Sequence, residues 1–265
     1  MTTRTAPATT APPSGRRAPS MARLLRAELA DELRGVRRDP TAWFFSVAMP
    51  IGFYALFAGM LGDEIAGGDP RVGTLMLANF GAFGVLLVAT MNPGIGLAED
   101  RQRGWLRVKR TWAVPLPVTL AGKALFAAPM VVVVLAVMTL IAAANGDLDV
   151  TPLRWALWVG SLVLAGLPFV FLGLAVGAWL SPNAGVAVLN ALILPGAIVG
   201  GLWFPLEQLP AFVQQAAPFV PTYHLSQLSI GAIEGTTVGH HVLALVAAGV
   251  VTALLAAFAY RRIRP

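Results

Sequence analysis

Apolar residues in this chain come in long runs, not in the alternation of a half-buried strand or the narrow stripe of a soluble helix. Six runs stand out, at 42–61, 73–93, 120–144, 155–180, 184–204 and 241–260. Each comes close to the roughly 20 residues that carry an α-helix across a hydrocarbon core of about 30 Å. The pattern therefore predicts an all-α integral membrane protein with six transmembrane helices. Between the runs lie a polar stretch at 62–71, a charged one at 98–117, another polar one at 146–154 and the tight Ser181-Pro182-Asn183 turn. A long, apolar but proline-broken segment at 205–240 completes the set, and no internal repeat is evident.

Ahead of the first run the pattern changes twice. Residues 1–20 are mostly Thr, Pro, Ala and Ser without an apolar period, a composition that cannot offset the entropy of ordering. They are expected to form a disordered tail. They lack the apolar block and small-residue cleavage site of a secretory signal, and Met21 offers an alternative start. At 21–39, Met21, Leu24, Leu25, Leu29, Leu33 and Val36 fall on one helical stripe, while Arg23, Glu28, Asp31, Arg34 and Arg37 fall elsewhere. That spacing predicts an amphipathic helix lying in the headgroup plane, with packing on a soluble partner as the alternative. Asp39-Pro40 ends it, and 40–265 forms the transmembrane domain.

Composition removes the soluble classes. The 265 residues are 57% hydrophobic and 12% charged, with a mean hydropathy of +0.71, against about 25% charged residues in a typical soluble domain. A net charge of +6 and a pI near 10.7 would suggest nucleic acid in a soluble chain, but here the placement of the bases explains them. Eight arginines precede residue 40, five bases lie between Arg101 and Arg110, and three lie in the last five residues. The other loops hold only Arg71 and Arg154. Cytoplasmic loops carry the excess of Lys and Arg, so both termini are expected in the cytoplasm of a multi-pass plasma-membrane protein, with an even number of spans. Lys123, just inside the third run, is expected to snorkel toward that charged surface. No nucleic-acid partner is expected.

The usual chemical signatures are missing. There is no cysteine, which excludes thiolate metal sites and cysteine nucleophiles. Gly122-Lys123-Ala124 lacks the upstream glycine and the Ser/Thr of a phosphate-binding loop, and Gly94-Ile95-Gly96 leads to Glu99 where a dinucleotide fingerprint needs glycine. His224, His240 and His241 have no carboxylate at a ligand-like spacing and read as structural. The expectation is no catalytic residue, no cofactor-binding residue, no metal ligand and no ATP site. No acid lies securely at the centre of a span, which argues against an ion-coupled carrier. A membrane-embedded enzyme handling lipid-linked substrates would need Glu207, His224, Glu234 and His240 to converge on one face.

Two segments keep their interest. In 98–117, the charges Glu99, Asp100, Arg101, Arg103, Arg107, Lys109 and Arg110 surround the apolar foothold Gly104-Trp105-Leu106. They suit either a headgroup-binding loop or a protein-docking one. In 205–240, Pro205, Pro210, Pro218 and Pro221 break any continuous helix while the chain stays apolar, which predicts short helices dipping into the outer leaflet. Asn79, Phe80, Phe83 and Asn190 are candidates to line a pathway. Gly173 with Gly177 and Gly196 with Gly200 are spaced for close helix packing, and Pro50, Pro168 and Pro195 for bends.

Together these features resemble the permease subunits of ABC-2 type exporters. The resemblance rests on the N-terminal amphipathic helix, six spans, Glu99-Asp100-Arg101-Gln102-Arg103-Gly104 leading to Pro115-Leu116-Pro117, and Gly201-Leu202-Trp203-Phe204-Pro205 followed by Pro210, Pro218 and Pro221. It covers residues 21–262 and is nearest to compact drug and antibiotic exporters of the daunorubicin type, with polysaccharide exporters sharing the architecture. Gln102 and Trp105 depart from the family, which often shows an acid and a small residue there. The likeness implies that residues 98–110, with Glu99, Asp100, Arg101, Arg103 and Gly104, couple to a separate cytoplasmic P-loop ATPase holding ATP and Mg. It also implies a connecting helix at 21–39 contacting the same ATPase and a re-entrant extracellular segment bearing Phe204, Pro205, Glu207, Pro210, Pro218 and Pro221. A second permease copy or a related permease would complete the pathway for a hydrophobic drug, antibiotic or lipid-like substrate.

Overall fold

The computed structural model describes residues 20–38, 44–66, 70–112, 114–146 and 148–261; the expected tail at 1–19 lies outside them. Every regular element among the described residues is helical, as lipid demands of a chain whose backbone groups must find partners within one segment. In chain order these are α1 (Met21–Arg38), a π turn (Phe44–Ala48) running into α2 (Met49–Ala66), α3 (Pro70–Gln102), α4 (Trp105–Thr111) and α5 (Leu116–Asn145). They continue as α6 (Pro152–Ala165), α7 (Leu167–Trp179), α8 (Pro182–Val199), α9 (Ala211–Ala216), α10 (Pro221–Glu234) and α11 (Gly239–Tyr260), with single 3₁₀ turns at Leu206–Gln208 and Ala217–Phe219.

The helix ends follow local chemistry. Ser181 and Thr151 cap α8 and α6 by accepting from the amides of Ala184 and Arg154, each with proline at the first helical position. Gly146 and Gly235 close α5 and α10 in the left-handed conformation.

Five helical spans among the described residues are long and apolar enough to cross a membrane. The first expected run differs. Its apolar part is the shorter Met49–Met60, preceded by the π turn. Pro50 gives no amide hydrogen to the carbonyl four residues before it, and the helix widens there. The fourth run is two helices, broken at Gly166, with Pro168 in the first turn of α7. The second run extends well past residue 93, through Pro93, to Gln102, so Glu99–Gln102 are helical and not loop.

Helix α3 is the axis of the molecule, its residues 77–90 almost entirely sealed by α2, α5, α7, α8 and α10. Its closest neighbour is α7. A Cβ on Gly173 would run into the carbonyl of Thr90, and one on Gly177 into that of Gly94. Only glycine lets the two backbones meet there. Helices α5 and α11 stand outside, showing Leu125, Val133 and Leu140, and Leu243, Val246 and Leu254, as a bilayer requires.

Helix α10 runs antiparallel to the first half of α3. Ser229 donates to the carbonyl of Ala78 (2.6 Å), Ser226 to Asn79 Oδ1 (3.0 Å), and Arg71 pairs with Glu234 (2.8 Å). Arg154 closes the end of α10 on the carbonyls of Ile233 and Glu234. At its start, Thr222 donates to the carbonyl of Gly196 (2.6 Å), filling the Gly196/Gly200 notch of α8. From Thr222 to Glu234 the helix climbs about 18 Å toward the end of the bundle opposite α1.

Candidate functional site

The charged end of the bundle is built on α1, the last turn of α3, α4 and the start of α5. The chain has 17 arginines and two lysines, and both lysines are buried here. Lys109 Nζ lies 2.6 Å from Glu28 Oε2 and 3.6 Å from Asp31, and the Thr119 hydroxyl donates to the other oxygen of Glu28 (3.3 Å). Lys123 Nζ lies 2.7 Å from Glu32 Oε1 and 2.9 Å from Asp100 Oδ2. The Trp105 indole donates to Asp31 (3.3 Å). Two ammonium groups thus join four helices by holding four carboxylates, and Glu28, Asp31 and Glu32 meet them because three- and four-residue spacings share one face of α1.

Helix α1 turns its acidic face inward, seated so closely on α5 that a Cβ on Gly122 would meet Glu28 Cβ at 2.7 Å. Met21 and Leu33, on its apolar stripe, are left exposed. Lys123 does not snorkel as expected, because paired carboxylates reach it inside the protein.

The residues expected to couple to a partner divide. Asp100 is taken by Lys123, and the Arg101 guanidinium donates to the carbonyls of Gly177 (2.8 Å) and Leu180 (3.2 Å), closing the end of α7. Glu99 and Arg103 form an exposed pair at 3.4 Å, of the kind worth little in water. Gly104, at φ 72°, turns the chain from α3 into α4 in the left-handed region. Helix α4 buries Leu106 and Lys109 and presents Arg107, Val108, Thr111 and Trp112 outward, with Arg103 beside them. Trp112 is 63% exposed and meets Trp105 edge-on. Glu28, Glu32, Asp31, Lys109 and Lys123 were not legible as a unit. The signal available was the placement of the only two lysines.

The expected pathway residues are mostly engaged. Phe80 and Phe83 are sealed in the core under Phe53, Tyr54, Phe57 and Trp203. Asn79 accepts from Ser226, and Asn190 donates to the carbonyl of Val186 in its own helix. Trp203 stacks on Phe53 and packs edge-on against Phe83, so the turn after α8 sits well inside the bundle. Phe204, Glu207, Pro210 and Pro218 are exposed, and Pro221 begins α10. Helix α8 leaves Val186, Val188, Leu192, Leu194 and Ile198 uncovered. The convergence that an enzyme would need does not form. Glu234 is tied to Arg71, about 15 Å along α10 from His224.

Three comparisons bear on this arrangement. Residues 23–233 match the family described as "ABC-2 type transporter". The chain is 26% identical over 247 residues to "Putative transport permease YvfS" of Bacillus subtilis (strain 168), covering 90% of this chain and 98% of that one. It is 30% identical over 181 residues to "Nodulation protein J" of Rhizobium leguminosarum bv. trifolii, covering 65% of this chain and 66% of the relative.

Proposed function

Since the chain belongs to the ABC-2 type transporter family, we propose that it is the membrane permease of an ATP-driven exporter in the plasma membrane, energised by a separate cytoplasmic P-loop ATPase. ATP and Mg²⁺ belong to that partner. The charged end faces the cytoplasm, both termini lie there, and α2 is the first of six crossings. Segments α9 and α10 form the re-entrant part on the outer side.

The observation that carries the reading is the mounting of α4. A seven-residue helix has little stability of its own, yet this one is fixed by buried ion pairs while Val108 and Trp112 are left open among Arg103 and Arg107. An apolar centre with a basic rim is the pattern of a protein-docking surface. A load applied there reaches α1 and α5 through Lys109, α3 through the Gly104 corner, and α7 through Arg101. The uncovered apolar face of α8 suits a second permease copy, and a passage walled by such side chains suits a hydrophobic drug, antibiotic or lipid-like substrate.

The test is affinity purification of the tagged chain from its native membrane, with co-purifying proteins identified by mass. A stoichiometric P-loop ATPase is expected. Val108→Glu with Trp112→Ala should lower its recovery at least about tenfold while thermal stability is retained. No ATPase with the intact chain, or undiminished recovery with the variant, would sink the proposal.

A further inference from the structure

All three histidines of the chain meet at the end of the bundle away from the lysines. His224, in the first turn of α10, places Nδ1 3.0 Å from Nδ1 of His241 in the first turn of α11. The His240 ring lies 3.7 Å, centroid to centroid, from that of His241. Tyr223 packs edge-on against both His224 and His241. His241 is buried, and no group of three ligating side chains is set around a metal position among the described residues.

The hydrogen bonds fix the protons. His224 Nε2 lies 3.0 Å from the carbonyl of Pro218 and can only donate to it. In a neutral ring this leaves Nδ1 as an acceptor, so His241 must donate from its own Nδ1. One added proton fits on the free Nε2 of His241 and strengthens the bond. A second would turn two N–H groups against each other across 3.0 Å and force the rings apart. Among the described residues no nearby charge offsets that repulsion, and Tyr223 on α10 and His240 on α11 are the only titratable groups beside the pair. Helices α7, α8 and α9 carry no ionisable residue, and Glu207 in the 3₁₀ turn is exposed. Arg71, Arg154 and Glu234 are engaged with one another's elements at the other end of α10.

We propose that His224 and His241 form a proton-operated latch that fastens the α9 segment and the start of α10 to α11, and opens when the pair takes up a second proton. His224 holds the carbonyl of Pro218 on one side and His241 on the other, so separation of the rings frees the 3₁₀ turn and α9, which carry the exposed Phe219 and Phe212. The inference stands on these contacts alone and holds whatever the substrate is.

The chain has no native cysteine, so spin labels on Phe212→Cys and Val246→Cys, both exposed sites, report one distance in the full chain in phospholipid nanodiscs. Between about pH 7.5 and about pH 3 the native distance peak should be lost and should return on neutralisation. His241→Asn places an amide N–H where Nδ1–H stands and takes up no proton, so its peak should persist throughout. His241→Phe should show the open distribution at every pH. An unchanged peak in the parent chain at low pH, or an acid response in His241→Asn equal to the parent's, overturns the latch. So does opening at neutral pH by micromolar Zn²⁺, which would assign the pair to a metal ion.

Discussion

Replacing Lys123 by methionine removes an ammonium whose side chain is 3% exposed and leaves Glu32 and Asp100 facing each other without a cation. Taking one partner from a buried pair costs about 3–5 kcal/mol, because the remaining charge stays buried and uncompensated. That is a large part of the roughly 5–15 kcal/mol that holds a typical domain together. At about 2–4 °C per kcal/mol for a chain of this size, the melting temperature should fall by about 6–20 °C, read by fluorescence-detected thermal unfolding in a fixed detergent. The reasoning has a sharper consequence. Adding Glu32→Gln and Asp100→Asn removes the stranded charges, so the triple variant should recover most of the loss. Lys123→Arg should not be silent either. Nζ lies only 3.1 Å from where a Cβ on Gly96 would stand, so the pocket fits an ammonium and crowds a guanidinium. A single variant melting within about 2 °C of the parent, or a triple variant no more stable than the single, would refute the account.

Two other substitutions probe the axis of the bundle. Gly173→Ala or Gly177→Ala inserts a Cβ into the backbone of α3 and should cost about 1–3 kcal/mol by forcing the helices apart, seen as a lower melting temperature. Ser229→Ala leaves the carbonyl of Ala78 and the indole of Trp158 without their shared partner. It should cost about 1–3 kcal/mol, and faster hydrogen exchange in α10 would check it.

Five of the six expected spans were legible because lipid leaves a helix few alternatives, and even the Gly173/Gly177 contact could be anticipated from spacing. The break at Gly166 was harder to see, since proline at the start of a new helix and proline inside a bent one look alike along the chain. The internal packing of the charged end was not legible for a physical reason. The stripe of Leu and Met on α1 stands out along the chain, but Glu28 and Glu32 find lysines some 80 to 90 residues away, and such a pairing leaves no local pattern. The histidines were dismissed on the same ground. His224 and His241 become neighbours only because α10 and α11 fold back antiparallel.

Helix α3 has a mechanical consequence. Near its charged end it is gripped at Asp100 and Arg101, toward the other it carries Asn79, Ala78 and Arg71 against α10, and between them Gly94 is clamped on Gly173 and Gly177. Measured along the helix from Gly94, Asp100 is about 9 Å away and Asn79 about 23 Å. A rod pivoting at that clamp is a lever of unequal arms. A displacement of Asp100 by about 1 Å would swing Asn79, and the serines resting on it, by about 2.5 Å in the opposite sense.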